Sequence, residues 1–380
     1  MVYRSKIAVY RSKNANMNPI EDISALRALL ALPLLPGVGQ RRAKDIIKHY
    51  GSAAAFLSST PSPEGCRAAL ERADKELDFI QKHRLRVYSF DEDDYPQRLA
   101  QCPDCPLLLF GKGNLSPNTG KFVSVVGTRS PSDRGRQLCR ELVTGLAEQI
   151  PDVTIVSGLA YGIDVTAHRT ALELGIPTII IPGHGLDRIY PYMHRQVAIE
   201  ALENGGILTE YMSETEPVGP NFVARNRIIA GMADAVVVVE SRDKGGSLIT
   251  ADIAFTYNRD VFAYPGRPND QQSAGCNRLI KHSQAQLIEC ADDLIAAMRW
   301  KPKKAGDDGY QTALDQLFVE LIPEEQMLLD ILHTNNEGIH VNSLVAETRL
   351  PYAATSSLLF QMELRGLVRS LPGGIYRALR

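Results

Sequence analysis

The sequence lacks a strong charge of either sign, long apolar runs and a dense set of cysteines. Its 42 Lys and Arg side chains nearly balance 44 Asp and Glu side chains, giving a net charge of −2 over 380 residues. This balance offers no global attraction for polyanions, although a local basic groove would still bind them. No run approaches the roughly 18 apolar residues of a membrane-spanning helix, so we expect no membrane partner.

The six cysteines are scattered through a large chain, which is typical of proteins in a reducing compartment. Cys102 and Cys105 form a CxxC pair, but no second pair completes a zinc site. We therefore interpret Cys102–Cys105 as a loop with incidental thiols. We expect a cytoplasmic protein without a bound metal.

The first residues form an unusual basic segment. Residues 1–16 hold four basic residues and no acidic one, and they repeat Val-Tyr-Arg-Ser-Lys at 2–6 and 9–13. They lack the apolar stretch of a secretory signal. This pattern favours a disordered basic tail, with Met17 as an alternative start, over a basic arm that contacts an acidic partner.

Helical patterns predict a separate domain over 17–90. Within it, Gly37-Val38-Gly39 stands between two predicted helices, and residues 1–50 carry nine basic against three acidic residues. The arrangement resembles a helix-hairpin-helix, whose turn amides can approach a phosphate. The alternative is a structural bundle with a solvated basic face, and the glycine turn alone does not decide between them. The basic residues after the turn are Arg41, Arg42, Lys44 and Lys48.

From 120 to 299, short apolar runs alternate with helical stretches. The runs are continuous in Val and Ile, which indicates strands buried on both faces. Strand–helix repetition predicts an α/β fold with a doubly wound parallel sheet. We assign this domain to 91–299 and interpret 91–114 as an irregular extension that packs on the sheet. The predicted strands are 122–127, 153–157, 177–181, 206–209, 235–240, 261–264 and 286–289, after a helix at 64–83 and a strand at 85–90.

The last part of the chain predicts a linker over 300–315 and a winged helix over 316–380. The winged helix is indicated by three helical stretches followed by a Gly-Gly hairpin. Residues 300–380 carry eight basic and ten acidic residues, and the recognition helix offers only Arg365 as a cation. A protein-contacting or regulatory wing is therefore at least as well supported as a DNA reader. The predicted helices are 323–334, 341–349 and 352–366.

Ligands of doubly wound sheets bind beyond the carboxyl ends of the strands. The first strand ends in Gly127-Thr128-Arg129 before a predicted helix, and turn amides, helix N-terminus and guanidinium together predict an anion site. Ser157-Gly158 follows the next strand, and Lys244–Ser247 forms a second glycine-rich turn into a helix. We expect four cations to converge on this edge: Arg129, Arg188, Arg227 and Lys244.

The usual nucleotide fingerprints and catalytic arrangements are missing. Gly127 is followed by Thr-Arg instead of the dinucleotide pattern, and Lys244 precedes its glycines, whereas a P-loop lysine follows them. His168 and His184 show neither a nucleophile–base arrangement nor a metal-ligand spacing, and we interpret them as packing and loop residues. The pattern predicts an anion platform without a cofactor and without catalysis, which suits a phosphodiester chain.

A series of ordered motifs runs through the predicted sheet domain. They are Val126–Arg129, Ser157–Asp164, Gly185–Asp187 with Tyr190-Pro191, Arg225–Gly231, Gly246–Ala251, Pro265-Gly266 and Ser273–Ile280. Together they resemble the motifs of the DNA-processing protein A family, also called DprA or Smf. The resemblance covers nearly all of 120–299 and extends to Tyr95-Pro96 and the tail. Lys281–Ala285 departs from the shorter Gly-Ala turn of the family.

The resemblance implies a Rossmann-like core that binds single-stranded DNA and helps to load RecA recombinase during natural transformation. It also implies a homodimer formed through this core, and no enzymatic activity. Because backbone contacts carry affinity without sequence information, we expect the bases to stay unread. The resemblance and the charge pattern together give these DNA-binding residues: Gly127, Thr128, Arg129, Ser157, Gly158, Arg188, Asn226, Arg227, Lys244, Gly246 and Ser247.

Two alternatives stay open. The first is a nucleotide phosphoribohydrolase-like enzyme on the same Rossmann-like fold, although Lys244–Asp252 keeps only Gly-Gly and Thr of the enzyme loop and no clear glutamate. The second is a regulatory adaptor that uses its winged helix and keeps the sheet as a scaffold. Leu279 and Ile280 are candidates for a dimer or RecA surface, with core packing as the alternative.

Overall fold

The computed structural model describes residues 23–59, 63–302, 322–333, 338–364, 367–371 and 373–378. The chain divides between residues 303 and 304 into two compact units. The predicted tail at 1–16 and most of the predicted linker at 300–315 lie outside the described residues.

A nine-stranded sheet forms the centre of the first unit. Its strands are β1 (Arg86–Ser89), β2 (Leu108–Lys112), β3 (Lys121–Val126), β4 (Val153–Ser157), β5 (Thr178–Ile180), β6 (Gly205–Thr209), β7 (Ala235–Val238), β8 (Asp260–Ala263) and β9 (Gln286–Leu287). Their order is β1-β2-β6-β5-β4-β3-β7-β8-β9. In this order, the seven strands that begin with β6 and end with β9 pair in parallel. β1 and β2 add an antiparallel edge.

Helices cover both faces of this sheet. In chain order they are α1 (Ile23–Ala31), α2 (Gln40–Tyr50), α3 (Ala53–Ser59), α4 (Pro63–His83), α5 (Gln97–Ala100), α6 (Asp133–Gln149), α7 (Ile163–Glu173), α8 (Arg195–Ala201), α9 (Gly219–Met232), α10 (Gly246–Thr256), α11 (Ala274–Lys281) and α12 (Ala291–Ala297), with 3₁₀ turns at Leu32–Leu34 and Tyr192–His194. In the described ranges, no helix has the length and apolar character needed to cross a membrane.

The central strands are buried on both sides. Along β3, Phe122 and Val126 belong to one apolar cluster, whereas Val123 and Val125 belong to another on the opposite face. Because successive side chains of a strand point to opposite faces, both faces must be apolar, and this explains the continuous Val and Ile runs. The predicted doubly wound sheet is confirmed.

One strand of the nine-stranded sheet, β2, was not predicted. Leu108–Lys112 lies in the segment interpreted as an irregular extension, but it forms β2 and pairs with β1 and β6. The prolines at 103 and 106 precede it in the chain. Because proline has no backbone amide to donate, the strand begins only after them. The predicted strand at 235–240 ends earlier, at Val238, and Glu240 beyond it binds Ser132 of the loop after β3.

The N-terminal helices pack directly on this sheet edge. Leu30 and Ile80 share an apolar cluster with Phe110 of β2. The Leu107 amide donates to Gln40 Oε1 at 2.9 Å, and the Lys44 ammonium donates to the Cys105 carbonyl oxygen. β1 lies before residue 90, so the predicted boundary between 17–90 and 91–299 leaves one strand of the sheet on its N-terminal side.

The second unit is a small bundle with an antiparallel sheet. Its elements are α13 (Pro323–His333), β10 (Ile339–His340), α14 (Val341–Thr348), α15 (Tyr352–Leu364), β11 (Val368–Leu371) and β12 (Ile375–Ala378). The strand order is β10-β12-β11, and Leu328, Leu344 and Leu359 bring the three helices into one core. The predicted winged helix is confirmed, with the short strand β10 as an addition.

A buried carboxylate ties α4 to the loop after β6. Glu76 is 1% exposed and accepts hydrogen bonds from the Ser213 amide at 3.0 Å, the Ser213 hydroxyl at 2.5 Å and Arg72 at 3.0 Å. Glu76→Ala would leave these donors unpaired, so we expect a loss of about 3 kcal/mol in the free energy of unfolding, measured in urea.

Glu71 provides the matched control, since it is a glutamate of the same helix in an exposed ion pair with Arg67. Glu71→Ala should change stability by less than about 1 kcal/mol. Equal losses in both variants would contradict a structural role for the Glu76–Ser213 contact.

Candidate functional site

A cavity of about 770 Å³ lies beyond the carboxyl ends of the central strands. It opens where the chain, having built β3 to β6 on one side, crosses to β7 on the other, which is the topological switch point of a doubly wound sheet. Its walls come from the turns after β3, β4, β5 and β7 and from one face of α9. The lining residues are Val126–Arg129, Ala160, Asp164, Tyr190, Pro217, Gly219, Phe222, Val223, Arg225, Asn226, Ile229, Gly245–Ser247, Ile249 and Thr250.

The turn after β3 contributes one free cation to this cavity. The Thr128 amide donates to the Glu240 carbonyl at 2.7 Å, and the Thr128 carbonyl accepts from the Ile163 amide at 3.2 Å. The turn is therefore fixed by its own protein partners. Arg129 is exposed, and its guanidinium forms no ion pair with any carboxylate in the described part of the chain.

The N-terminus of α6 does not provide the predicted anion site. The Ser132 hydroxyl accepts from the Gly135 amide at 3.0 Å. The Glu240 carboxylate accepts from the Ser132 amide at 2.8 Å and from its hydroxyl at 2.6 Å. An added Cβ at position 135 would lie 2.6 Å from Glu240 Oε2 and would displace this carboxylate. The protein's own carboxylate therefore occupies the position predicted for an external anion.

The N-terminus of α10 is open instead. Gly245 precedes this 11-residue helix and offers no side-chain cap, so the amides of Gly246 and Ser247 keep their bonding capacity. The Leu248 amide donates to the Gly245 carbonyl at 3.1 Å. Gly246 is exposed, and no other group approaches the position of its absent Cβ within 4 Å. Gly246 and Ser247 both line the cavity. Lys244 is exposed one residue before the turn and borders the cavity without lining it.

The floor of the cavity holds a buried charge pair. Arg225 is 4% exposed and Asp164 is 7% exposed. Burial lowers the pKa of Arg225 to about 10, which the nearby Asp164 carboxylate opposes, so the guanidinium stays charged at neutral pH. Burial also raises the pKa of Asp164, opposed by Arg225 and by the amides of Gly158 and Ala160.

Ser157 and Gly158 support this floor from below. The Ser157 hydroxyl donates to the Val125 carbonyl at 2.6 Å, and the Gly158 carbonyl accepts from Arg225 at 3.0 Å. A Cβ at Gly158 would lie 2.6 Å from the guanidinium nitrogens. Gly158 therefore holds the buried arginine in position, Ser157 ties the turn to β3, and neither lines the cavity.

Two of the four predicted cations are neutralised elsewhere. Arg227 is largely buried and donates to Glu210 at 2.5 Å. Arg188 donates to Glu216 at 2.5 Å and also pairs with its neighbour Asp187 at 2.9 Å. Neither lines the cavity, whereas Asn226 does. The structure therefore brings Arg129 and Asn226 to the site, keeps Lys244 at its border and leaves Arg188 and Arg227 outside.

Sequence patterns missed an apolar wall. Tyr190 is 47% exposed, and its ring centroid lies 5.7 Å from that of Phe222 at an interplanar angle of 32°. Val223 and Ile249 add exposed aliphatic surface to the same cavity. The sequence signal that could have indicated this wall was Tyr190, an aromatic residue in a loop after a strand, because binding residues are concentrated in such loops.

His184 positions this wall. It is buried, its Nδ1–H donates to the Gly185 carbonyl at 2.9 Å, and its Nε2 accepts from the Tyr190 amide at 3.2 Å. Burial lowers the pKa of His184, in agreement with a neutral ring. His168 is a buried residue of α7. Its Nδ1 contacts the Thr178 hydroxyl at 2.7 Å, and burial lowers its pKa to about 3.

The glycine turn of the N-terminal helices lies apart from this cavity. Arg42 donates to the Gly37 carbonyl at 3.2 Å, and Lys44 contacts Cys105. Arg41 and Lys48 are exposed on α2. A DNA contact of this segment stays a prediction.

Comparison with known proteins identifies the family. The family model of DNA recombination-mediator protein A matches residues 86–299, and the model of the DprA winged helix domain matches residues 314–374. Protein Smf of Synechocystis sp. is 36% identical over 330 residues, which cover 79% of this chain and 82% of that protein.

Solved structures agree with this assignment. The X-ray structure of DprA from Streptococcus pneumoniae aligns with a TM-score of 0.59 and 31% identity, over 76% of this chain and 96% of that one. DNA processing protein A from Helicobacter pylori, described with its single-stranded DNA binding mode, aligns with a TM-score of 0.51 and 31% identity, over 57% and 95%. This chain therefore belongs to the DNA recombination-mediator protein A family.

Proposed function

We propose that the chain binds single-stranded DNA in the cavity at the switch point of its sheet, without reading sequence and without catalysis. One observation carries the proposal. An unpaired arginine, an uncapped helix N-terminus and an aromatic pair, of which Tyr190 is exposed and Phe222 half-buried, line the same cavity. These are the groups that bind a phosphate and an unstacked base together.

The phosphates would lie between Arg129 and the first turn of α10. Arg129 supplies a guanidinium fork, while the amides of Gly246 and Ser247 supply the positive end of a helix dipole. The charge of Arg225 beneath the cavity floor adds to the attraction, partly offset by Asp164. Lys244 at the border would contact the strand where it leaves the cavity.

The bases would lie on the opposite wall. Tyr190 and Phe222 present ring surface, and Val223 and Ile249 extend it. Stacking on such side chains is tolerant of sequence, because each base has a π face. The relative from Helicobacter pylori, described as a single-stranded DNA binder, supports the same ligand here.

The hydrolase alternative is not favoured by the acids of the cavity. Asp164 Oδ2 accepts hydrogen bonds from the Gly158 and Ala160 amides at 3.2 and 3.4 Å, so this oxygen is already engaged within the protein. Asp252 is exposed on α10 and does not line the cavity. No other carboxylate of the described residues lines it. Release of a base from a nucleoside monophosphate by the purified protein would overturn the non-catalytic part of the proposal.

Removing the free cations should weaken binding of all oligonucleotides alike. Because each variant deletes a phosphate contact, we expect Arg129→Ala and Lys244→Ala to lower affinity and to flatten its salt dependence by a slope of about 0.7 each. Fluorescence anisotropy with two oligonucleotides of unrelated sequence over a salt series measures both effects.

Arg188→Ala is the matched control, since Arg188 is an arginine that already pairs with Asp187 and Glu216. Its affinity and salt slope should stay close to those of the unmodified protein. A larger effect of Arg188→Ala than of Arg129→Ala would move the binding site away from this cavity.

Removing the rings should lower affinity without changing the salt slope. Tyr190→Ala and Phe222→Ala each delete a stacking surface, so we expect a loss of about 1–3 kcal/mol in binding free energy. Phe255→Ala is the control, because Phe255 is 52% exposed on α10 and lies outside the cavity lining. A salt slope that falls as much as in Arg129→Ala would argue against base stacking.

We further propose that the bound strand is passed to RecA recombinase and that the chain acts as a homodimer. The proposal rests on membership in a recombination-mediator family. The protein should have a solution mass of twice its 41.8 kDa and should accelerate RecA assembly on DNA coated with single-strand-binding protein. Arg129→Ala should lose this acceleration while keeping its mass. An unchanged acceleration by Arg129→Ala would contradict the proposed transfer of the strand to RecA. A monomer at all concentrations would contradict the proposed homodimer.

A further inference from the structure

A second cavity of about 760 Å³ lies beside the first, beyond the ends of β7 and β8. The two cavities share two loops. The loop after β3 lines the first cavity up to Arg129 and the second cavity from Ser132. The loop after β7 lines the second cavity at Val239-Glu240 and the first cavity from Gly245. The lining residues are Ser132, Arg134, Gly135, Leu138, Val239, Glu240, Pro265–Arg267, Asn269, Asp270 and Ser273.

Two exposed arginines and two less exposed carboxylates line this cavity. Arg134, in the first turn of α6, and Arg267, in the loop after β8, are exposed, and neither has an ion-pair partner among the described residues. The two carboxylates are engaged within the protein. Glu240 holds both polar groups of Ser132, and Asp270 accepts from the Gln272 amide at 2.9 Å and the Ser273 hydroxyl at 3.3 Å.

An apolar wall faces these arginines. Leu138, Val239 and Pro265 line the cavity together with these arginines. The volume falls within the roughly 300–1,000 Å³ of ligand pockets. Free guanidinium groups at the rim and an apolar wall inside suit a nucleotide, with its phosphate on the arginines and its base against the wall.

We propose that the second cavity holds further nucleotides of the same DNA strand that occupies the first. A strand leaving Arg129 would pass over the Ser130–Ser132 segment and reach Arg134 without crossing another element, because both cavities border the same loop. This inference rests on the proposed binding of single-stranded DNA in the first cavity. It adds that the footprint is longer than one cavity and turns at the Glu240 loop.

Oligonucleotide length separates the two cavities. Oligothymidylates of about five nucleotides should occupy the first cavity alone, and those of about twenty should reach both, since one binding face holds roughly 4–16 nucleotides. The double variant Arg134→Ala/Arg267→Ala should bind the long oligonucleotide on the order of tenfold more weakly, with a salt slope lower by about 1.4, because two phosphate contacts are lost. Its affinity for the short oligonucleotide should not change.

Arg140→Ala is the control, as Arg140 is an exposed arginine of the same helix that lines neither cavity. It should bind both lengths like the unmodified protein. Equal weakening of both lengths by the double variant, or unchanged binding of the long one, would overturn the inference while leaving the first cavity intact. Arg129→Ala tests that first cavity separately, since it should weaken both lengths.

A free nucleotide could satisfy the same chemistry, and thymidine monophosphate distinguishes this source. If the second cavity belongs to the DNA path, saturation with the mononucleotide should still displace the long oligonucleotide from Arg129→Ala, in which the first cavity is weakened. Saturable binding of the mononucleotide that depends on Arg134 and Arg267 but leaves the long oligonucleotide bound would overturn the inference in favour of a separate small-molecule site.

Discussion

The Glu240 carboxylate organises this end of the sheet. It accepts hydrogen bonds from the amide and the hydroxyl of Ser132. The backbone carbonyl of Glu240 accepts from the Thr128 amide. One residue after β7 thereby fixes the turn after β3 and the start of α6. The positive N-terminus of α6 is neutralised from inside the protein, whereas the N-terminus of α10 has no side-chain cap. The same residue lines the second cavity.

The balance of paired and unpaired arginines decides which surface attracts a polyanion. Arg227 is held by Glu210, and Arg188 by Glu216 and Asp187, so their charges cancel locally. Arg225 keeps its charge under the floor, close to Asp164. Arg129, Lys244, Arg134 and Arg267 have no such partners within the described ranges. A chain with a net charge of −2 can therefore present a cationic path, because acids such as Glu210 and Glu216 pair with arginines that lie outside this path.

Local pattern predicted the sheet but not these pairings. Continuous Val runs such as that of β7 follow directly from burial on two faces, and a turn such as Lys244–Ser247 carries its glycines in sequence. The Ser132–Glu240 contact, in contrast, joins residues 108 positions apart, so nothing near Ser132 announces that its helix N-terminus is filled. The aromatic wall was missed for the same reason. Tyr190 and Phe222 become neighbours only when the loop after β5 meets α9.

The position of the aromatic pair bears on the choice between single and double strands. Tyr190 and Phe222 lie inside the cavity that Arg129 and α10 also line, so a ligand must present a phosphate and the face of a base within one narrow space. A duplex keeps its base faces stacked against each other and shows only its edges and backbone. An unpaired strand can turn its bases outward onto the rings while its phosphates meet the cations. On this geometry, selectivity for single strands needs no base-reading group, since the two walls of the cavity already require an unstacked base.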